Sequence, residues 1–100
     1  MENGYKIVWT VHALNELKVT FEYLENNWTD REISKLANEI DKILQLISNN
    51  PKLFPISNKT QIRRAVLGKL NIIYYRELEN KTVEIISFFA TRRSPNREIK

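Results

Sequence analysis

The chain has 100 residues, no cysteine, 42% hydrophobic residues and 28% charged residues. A chain of this length forms one domain, so we expect a single unit over residues 1–100 with no second core. The absence of cysteine excludes disulfides, thiolate metal sites and cysteine nucleophiles. No apolar run approaches the ~20 residues that span a membrane, and no signal peptide is evident, so we expect a cytoplasmic protein.

Charge divides the sequence into an acidic half and a basic half. Residues 1–50 carry five Lys and Arg against eight Asp and Glu, whereas residues 51–100 carry eleven against four. The basic residues lie among apolar and aromatic residues with β-strand patterning, and such a basic surface is typical of a site for a polyanion. The pattern favours nucleic acid as the partner, with an acidic protein as the alternative.

The start of the sequence predicts a short strand followed at once by a helix. Every second residue from Tyr5 to Trp9 is large and apolar, which is the pattern of a strand with one buried face. Thr10 is the expected N-cap of the helix, because its hydroxyl can accept a free backbone amide of the first turn. The helix carries an apolar stripe at spacings of three and four: Val11, Leu14, Leu17, Phe21 and Leu24.

The four residues from Thr29 to Glu32 predict the start of a second helix. They form the pattern of a capping box, in which each side chain accepts the other residue's backbone amide. We expect this helix to begin near Asp30 and to end before Pro51, since proline disfavours helix in the residue before it. Its apolar stripe is Ile33, Leu36, Ala37, Ile40, Ile43, Leu44 and Ile47. Two amphipathic helices joined this closely form an antiparallel hairpin.

The second half predicts a loop over residues 50–60 and strands over residues 61–67, 70–77 and 82–89. Short turns between these runs indicate an antiparallel meander. Strict alternation in the last strand places Phe89 on the same face as Val83 and Ile85, and Phe88 on the opposite face. Residues 90–100 form a basic tail without periodicity. The fold class is therefore α+β, with the order β-α-α-β-β-β. The N-terminal strand and helical hairpin pack on one face of a small, largely antiparallel sheet.

Most enzyme signatures are missing, and the side chains left for chemistry are arginine, lysine and tyrosine. The chain has one histidine and two glycines, which exclude a histidine metal cluster and a glycine-rich phosphate loop. Arg63 and Arg64 are adjacent on a predicted strand, so their side chains point to opposite faces. Arg92 and Arg93 follow the last strand, where arginines can hold a phosphate through two hydrogen bonds. The alternative for each arginine is a solvated side chain or an ion pair at the rim.

Two tyrosines pose the same question as the arginine pair. Tyr74 and Tyr75 are adjacent on a predicted strand, so they also face opposite ways. One is expected in the core, while the other can stack on a base. The sequence alone does not say which tyrosine, or which of Arg63 and Arg64, is exposed.

Five segments are informative when they are taken in order: a strand that ends in IVWT, a helix with ALNEL, the segment NNPKLFP, the strand pair IRRAVLGKLNIIYY and the final VEIISFFATRRSP. This combination resembles the RelE/ParE superfamily of type II toxins, which includes proteins described as plasmid-stabilisation proteins. Together the five segments span roughly residues 5–96, and the resemblance lies in their combination and order.

The resemblance implies a toxin that arrests growth when it is free of a co-encoded antitoxin. ParE-like members of the superfamily poison DNA gyrase, and RelE-like members cut messenger RNA in the ribosomal A site. The resemblance implies no cofactor, no metal, no membrane and no small-molecule substrate. The alternative that we carry forward is a non-enzymatic module that binds nucleic acid or another protein.

If the chain is an enzyme, the resemblance implies a metal-independent, ribosome-dependent endoribonuclease. The ribose 2′-hydroxyl would attack the adjacent phosphate, a reaction that needs a base, an acid and cations on the phosphate oxygens. Arg63 or Arg64, Lys69, and Arg92 or Arg93 stand where the cationic residues of that family fall.

The catalytic base is where this sequence departs from the RelE pattern. RelE-like nucleases commonly carry a tyrosine or histidine after the last arginines, but the segment here is SPNREIK. Glu98 could substitute as the base, and Tyr75 is the nearest aromatic alternative. The departure favours ParE-like action on gyrase, for which no such group is expected. Both targets stay open, because lysine and arginine carry this chemistry in some relatives of the superfamily.

Overall fold

Strand β1 (Lys6–Trp9) leads into two helices, which are followed by three further strands. The structure is a computed structural model, and it describes residues 4–56, 61–67 and 71–90. The remaining elements are α1 (Val11–Asn27), α2 (Asp30–Asn49), β2 (Arg63–Leu67), β3 (Asn71–Leu78) and β4 (Thr82–Ala90). This order confirms the predicted β-α-α-β-β-β arrangement and its α+β class.

The four strands form one mixed sheet in the order β1-β4-β3-β2. β2 pairs antiparallel with β3, and β3 pairs antiparallel with β4, as the short connections predicted. β1 runs parallel to β4, from Lys6 opposite Thr82 to Trp9 opposite Ile85. The helical hairpin therefore carries the chain from one edge of the sheet to the other, because parallel strands need such a crossover.

Both helices begin at the predicted caps. The Thr10 hydroxyl accepts the backbone amide of Ala13 at 3.0 Å. At the start of α2, the Thr29 hydroxyl accepts the Glu32 amide, and the Glu32 carboxylate accepts the Thr29 amide, both at 3.3 Å. These bonds satisfy amides that a helix end leaves without an intrahelical partner. Local sequence therefore determines where both helices begin.

The core lies between the helical hairpin and one face of the sheet. The buried residues come from both helices and from the three C-terminal strands: Ala13, Leu24, Leu36, Ile40, Ile47, Ala65, Leu67, Ile73, Tyr75, Val83, Ile85 and Phe88. Neither α1 nor α2 packs on the opposite face of the sheet, and we refer to this face as the open face. Within the described residues, its side chains are accessible to a partner.

The predicted apolar stripe of α1 is wrong at its start. Val11 is 75% exposed and Leu14 is 48% exposed, whereas Ala13 is fully buried. The entry of the helix explains the rotation, because the Thr10 amide donates to the Ile85 carbonyl at 3.1 Å and its hydroxyl donates to the Ile86 carbonyl at 3.2 Å. These two bonds fix the first turn so that a small residue, Ala13, faces β4.

The predicted faces of β4 are also wrong beyond Ile85. Ile85 lies opposite Tyr75 and Ser87 lies opposite Tyr74, so Ile86 is an extra residue in β4 and forms a β-bulge. The bulge shifts the alternation by one residue. Phe88 is consequently fully buried and Phe89 is 39% exposed, the reverse of the prediction.

Candidate functional site

Arg63 holds the loop that follows α2 against the sheet. Its Nη1 donates to the Phe54 carbonyl at 2.7 Å and to the Lys52 carbonyl at 3.5 Å. The side chain lies on the core face of β2, the face of Ala65 and Leu67, and is half-buried. Arg63 is thus engaged by the protein itself, and its geometry is that of a structural cation.

Arg64 points the other way and is exposed on the open face. Its backbone amide donates to the Pro55 carbonyl at 3.0 Å, which anchors the strand at this position. In the described part of the chain, its guanidinium makes neither a hydrogen bond nor an ion pair. The question that the sequence left open is therefore answered, because Arg64 is the member of the pair that a partner can reach.

Tyr75 is the core member of the tyrosine pair. It is 0% exposed, and its hydroxyl donates to the Pro51 carbonyl at 2.7 Å. Its ring meets Phe54 edge to face, with ring centroids 6.5 Å apart. Burial raises the pKa of Tyr75 to about 12, although the nearby Arg63 charge opposes the shift. A buried phenol with a raised pKa is a poor general base, and this geometry gives Tyr75 a structural role.

We expect Tyr75→Phe to destabilise the fold by about 1–3 kcal/mol, because the buried Pro51 carbonyl loses its hydrogen bond. In the wild type, the pKa of Tyr75 in the folded protein is raised above its value in the unfolded chain. The contribution of the protonated phenol to the free energy of unfolding is therefore complete below the unfolded pKa. Stability then falls between about pH 10 and about pH 12 as the unfolded phenol ionises first. Urea unfolding of both proteins across this range measures the effect, and the variant should lack the alkaline loss that Tyr75 causes.

The same variant tests whether Tyr75 takes part in the growth arrest that the family resemblance implies. A structural role predicts that Tyr75→Phe keeps the full growth arrest of the wild type at temperatures where it stays folded. Loss of growth arrest in a variant that is as soluble and folded as the wild type would instead assign the hydroxyl to catalysis.

Tyr74 is the open-face member of the pair. It is half-buried and lies directly opposite Arg64 in the register of β2 and β3. On the far side of β3 its partner position is Ser87. Arg64 and Tyr74 therefore stand side by side, a cation next to an aromatic ring, and this arrangement suits a phosphate, a base or a carboxylate.

Three other cations on or near the sheet already have partners. Arg76 Nε donates to Glu84 Oε1 at 2.9 Å across β3 and β4. Lys52 Nζ lies 2.9 Å from Glu77 Oε1, and its hydrogen bond lowers the pKa of that carboxyl. Lys81 Nζ sits 5.6 Å from the centre of the Tyr5 ring. Among the described arginines of β2, β3 and β4, Arg64 alone offers its charge outward without a partner.

An apolar row lies next to Arg64 and Tyr74 on the open face. Val66 is paired with Ile72, and Ile72 is paired with Phe89, so the three side chains cross the sheet in one line. Val66 is 47% exposed and Phe89 is 39% exposed. We call this row, together with Arg64 and Tyr74, the open-face patch.

Three of the predicted site residues lie outside the described residues. Lys69, Arg92 and Arg93 fall in residues 68–70 and 91–100. Their proposed contacts with phosphate stay predictions. Of the predicted residues that are described, the structure separates Arg64 from Arg63 and Tyr75, because these point to opposite faces of the sheet.

A polar cluster that sequence reasoning missed joins α1 to the end of β4. Glu16 Oε1 accepts the Ser87 hydroxyl at 2.8 Å and the Phe88 backbone amide at 2.9 Å. Glu16 Oε2 lies 3.2 Å from His12 Nε2. The spacing of four residues signals the His12–Glu16 pair, but no local pattern signals the link to β4, which is about 70 residues away in sequence.

The described residues contain no group of three or more His, Asp or Glu side chains placed to hold a metal ion. Within the same ranges, neither helix is long and apolar enough to cross a membrane.

Toxin chains of known structure share this fold. A chromosomal ParDE toxin–antitoxin system from P. aeruginosa matches with a TM-score of 0.69 and 13% identity, over 86% of this chain and 95% of that one. The RelBE2 toxin–antitoxin complex from Mycobacterium tuberculosis matches with a TM-score of 0.60 and 16% identity, over 88% and 99%. The E. coli DinJ–YafQ toxin–antitoxin complex matches with a TM-score of 0.61 and 13% identity, over 92% and 98%. At these identities the likeness is one of fold.

The family is established by the sequence. Residues 7–95 match the model of the ParE toxin of the type II toxin–antitoxin system parDE, and the chain belongs to this family. No curated protein matches the chain significantly. The chain is thus the toxin of a type II toxin–antitoxin module, and the complexes among its structural relatives support a cognate antitoxin as its partner.

Proposed function

We propose that this toxin arrests growth by binding DNA gyrase, and that it does not cleave messenger RNA. The family match carries the proposal, since ParE-like members of the superfamily poison gyrase. The geometry supports binding without catalysis, because the open-face patch presents the charge of Arg64 and the ring of Tyr74, which can both contact a partner. Tyr75, the aromatic candidate for a base, is buried. The tail after Arg93 contains no tyrosine or histidine.

Ribosome-dependent cleavage of messenger RNA is the second candidate. One observation favours it: the Tyr74 ring lies beside Arg64 on the open face, where a phenol and a cation could both approach a phosphate. In that case Arg64 would stabilise the phosphate oxygens and Tyr74 would be the proton-transferring group. The two candidates share Arg64 and differ in whether Tyr74 must ionise or only make contact.

Two assays on the same purified toxin separate these candidates. In the first, gyrase and supercoiled plasmid are incubated with the toxin, and we expect linear plasmid to accumulate when the reaction is stopped with denaturant. In the second, translating ribosomes are incubated with the toxin, and we expect no new 5′ ends on the message. Arg92→Ala/Arg93→Ala toxin is run in both assays to test the basic tail.

New ribosome-dependent 5′ ends, together with unchanged gyrase activity, would contradict gyrase as the target. Retention of those cuts in Tyr74→Phe toxin would then exclude the tyrosine as the proton-transferring group. If neither assay responds to a toxin that arrests growth in cells, a third target is required.

We also propose that the antitoxin covers the open-face patch with an acidic amphipathic segment. Val66, Ile72 and Phe89 offer an apolar row of the kind that a helix face covers, and exposed apolar patches mark interaction sites. The charge beside this row is Arg64, whose guanidinium has no partner among the described residues, so a carboxylate of the antitoxin at that point would gain a charge-assisted bond. Covering this patch would also hide the contact that we assign to the target.

A further inference from the structure

Strand β4 extends beyond the strand that covers its outer edge. β1 ends at Trp9, which lies opposite Ile85, whereas β4 continues to Ala90. From Ile86 onward, no strand of the described residues therefore lies beside β4 on the side that faces away from β3. An uncovered strand edge presents free backbone groups that another strand can pair with.

Side chains of α1 occupy this edge in place of a strand. The Thr10 hydroxyl donates to the Ile86 carbonyl at 3.2 Å. The Phe88 amide points away from β3, and Glu16 Oε1 accepts it at 2.9 Å. The same oxygen accepts the Ser87 hydroxyl at 2.8 Å. A carboxylate that accepts two bonds at an edge replaces the carbonyl that a neighbouring strand would supply.

The Glu16 side chain is held in place against the edge of β4. It is 23% exposed, so the carboxylate is held inward against the strand. The Glu16 backbone carbonyl accepts the Thr20 hydroxyl at 2.9 Å, one turn further along the helix. A charge turned inward at a strand edge and a helix laid over that edge are both ways in which proteins prevent edge-to-edge pairing.

The strand segment behind Glu16 is of the kind that needs such protection. Residues 85–90 read IISFFA, which contains no charge, no proline and no glycine. Short, uncharged, β-prone and apolar segments pair readily with copies of themselves when an edge is free. Phe89 in this segment is already 39% exposed.

We propose that the Glu16 carboxylate prevents strand pairing at the outer edge of β4. Without it, this edge would be a pairing surface for a second copy of this chain. The partner is a second copy because two identical edges can pair antiparallel about a two-fold axis, and an uncharged segment meets no repulsion from itself. While the Glu16 carboxylate occupies the Phe88 amide, this pairing is blocked. The free toxin therefore stays monomeric after its antitoxin is lost.

The test is the mass of the free toxin in solution, purified away from its antitoxin and measured by light scattering across a concentration series. We expect the wild type to remain at one chain mass. Glu16→Ala should shift to twice that mass or to larger species as concentration rises. Glu16→Gln retains a carbonyl oxygen for the Phe88 amide and should stay closer to the wild type. Glu22→Ala, an exposed glutamate on the same helix, is the matched control.

A second change shows whether association occurs through the β4 edge. Adding Phe89→Lys to Glu16→Ala places a charge on the segment, so the double variant should return to one chain mass. Continued association of the double variant would point to general unfolding and would overturn the proposal. A folded Glu16→Ala toxin that stays monomeric would overturn it as well.

Hydrogen exchange of the wild type gives a readout that does not depend on any variant folding. We expect the Phe88 amide to exchange as slowly as the amides bonded within the sheet, because Glu16 holds it. Fast exchange of this amide in the folded toxin would contradict the closed edge.

Discussion

Arg64→Ala is expected to abolish or severely reduce growth arrest while leaving the fold intact. The side chain is exposed and makes no bond within the described chain, so its removal should change the free energy of unfolding by less than about 0.5 kcal/mol. A charge-assisted bond to a partner is worth about 1.5–3 kcal/mol, so target binding should weaken roughly tenfold to a hundredfold. Colony counts after induction, compared with the thermal midpoint of the purified protein, measure both effects.

Arg63→Ala is the matched control, because it removes the same side chain from the neighbouring position. Arg63 bonds the carbonyls of Phe54 and Lys52, so its loss should destabilise the fold by about 1–3 kcal/mol. It should spare toxicity wherever the protein remains folded. The opposite result, with full toxicity in Arg64→Ala and none in a folded Arg63→Ala, would reverse the assignment of the two arginines.

Phe88→Ala is expected to have the largest effect on stability. The ring is fully buried between the sheet and the helices, and truncating such a ring costs about 3–5 kcal/mol in lost burial and cavity formation. The expected loss is a large part of the stability of a domain of this size. Urea unfolding should show a correspondingly lower midpoint for the variant. A loss below about 1 kcal/mol would contradict the buried position.

Phe89→Ala is the control one residue further along, and it also tests the open-face patch. Because this ring is 39% exposed, its truncation should cost less than about 1 kcal/mol of stability. If the antitoxin covers the ring, the affinity of the complex should fall at least about tenfold, as expected for a buried aromatic contact. Unchanged affinity would exclude Phe89 from the antitoxin interface. Equal destabilisation by the two variants would contradict the bulge at Ile86.

Local sequence was sufficient to predict most of the fold. The capping box at Thr29 and Glu32 and the N-cap at Thr10 fixed where the helices begin, because these bonds involve residues three positions apart. The strands and their antiparallel turns followed from alternation and short connections. The parallel pairing of β1 with β4 was not predicted, because no local pattern indicates which strand β1 joins.

What the sequence could not predict depends on contacts between distant residues. The bulge at Ile86 reverses the faces of Phe88 and Phe89, and no local pattern marks an extra residue in a strand. The rotation of α1, which exposes Val11 and buries Ala13, follows from bonds between Thr10 and β4. Local periodicity therefore predicted the wrong faces at the first turn of α1 and at the end of β4, which contact each other.

The candidate site was also predicted only in part from the sequence. Basic charge and the paired arginines and tyrosines identified the strands that matter, but alternation left both members of each pair equivalent. The loop from Pro51 to Phe54 breaks this equivalence, because its carbonyls bind Arg63 and Tyr75 on the core side. Arg64 and Tyr74 are left for a partner, and the contribution of Glu16 to β4 became visible only in the folded chain.

Growth of cells that express this chain without an antitoxin shows whether the chain is an active toxin. The untagged chain is induced in a host that lacks the cognate antitoxin, and colony-forming units and soluble protein are followed together. We expect rapid loss of colony formation, with relief when the antitoxin is co-expressed. Unaffected growth at confirmed levels of soluble, folded protein would contradict its assignment as an active toxin.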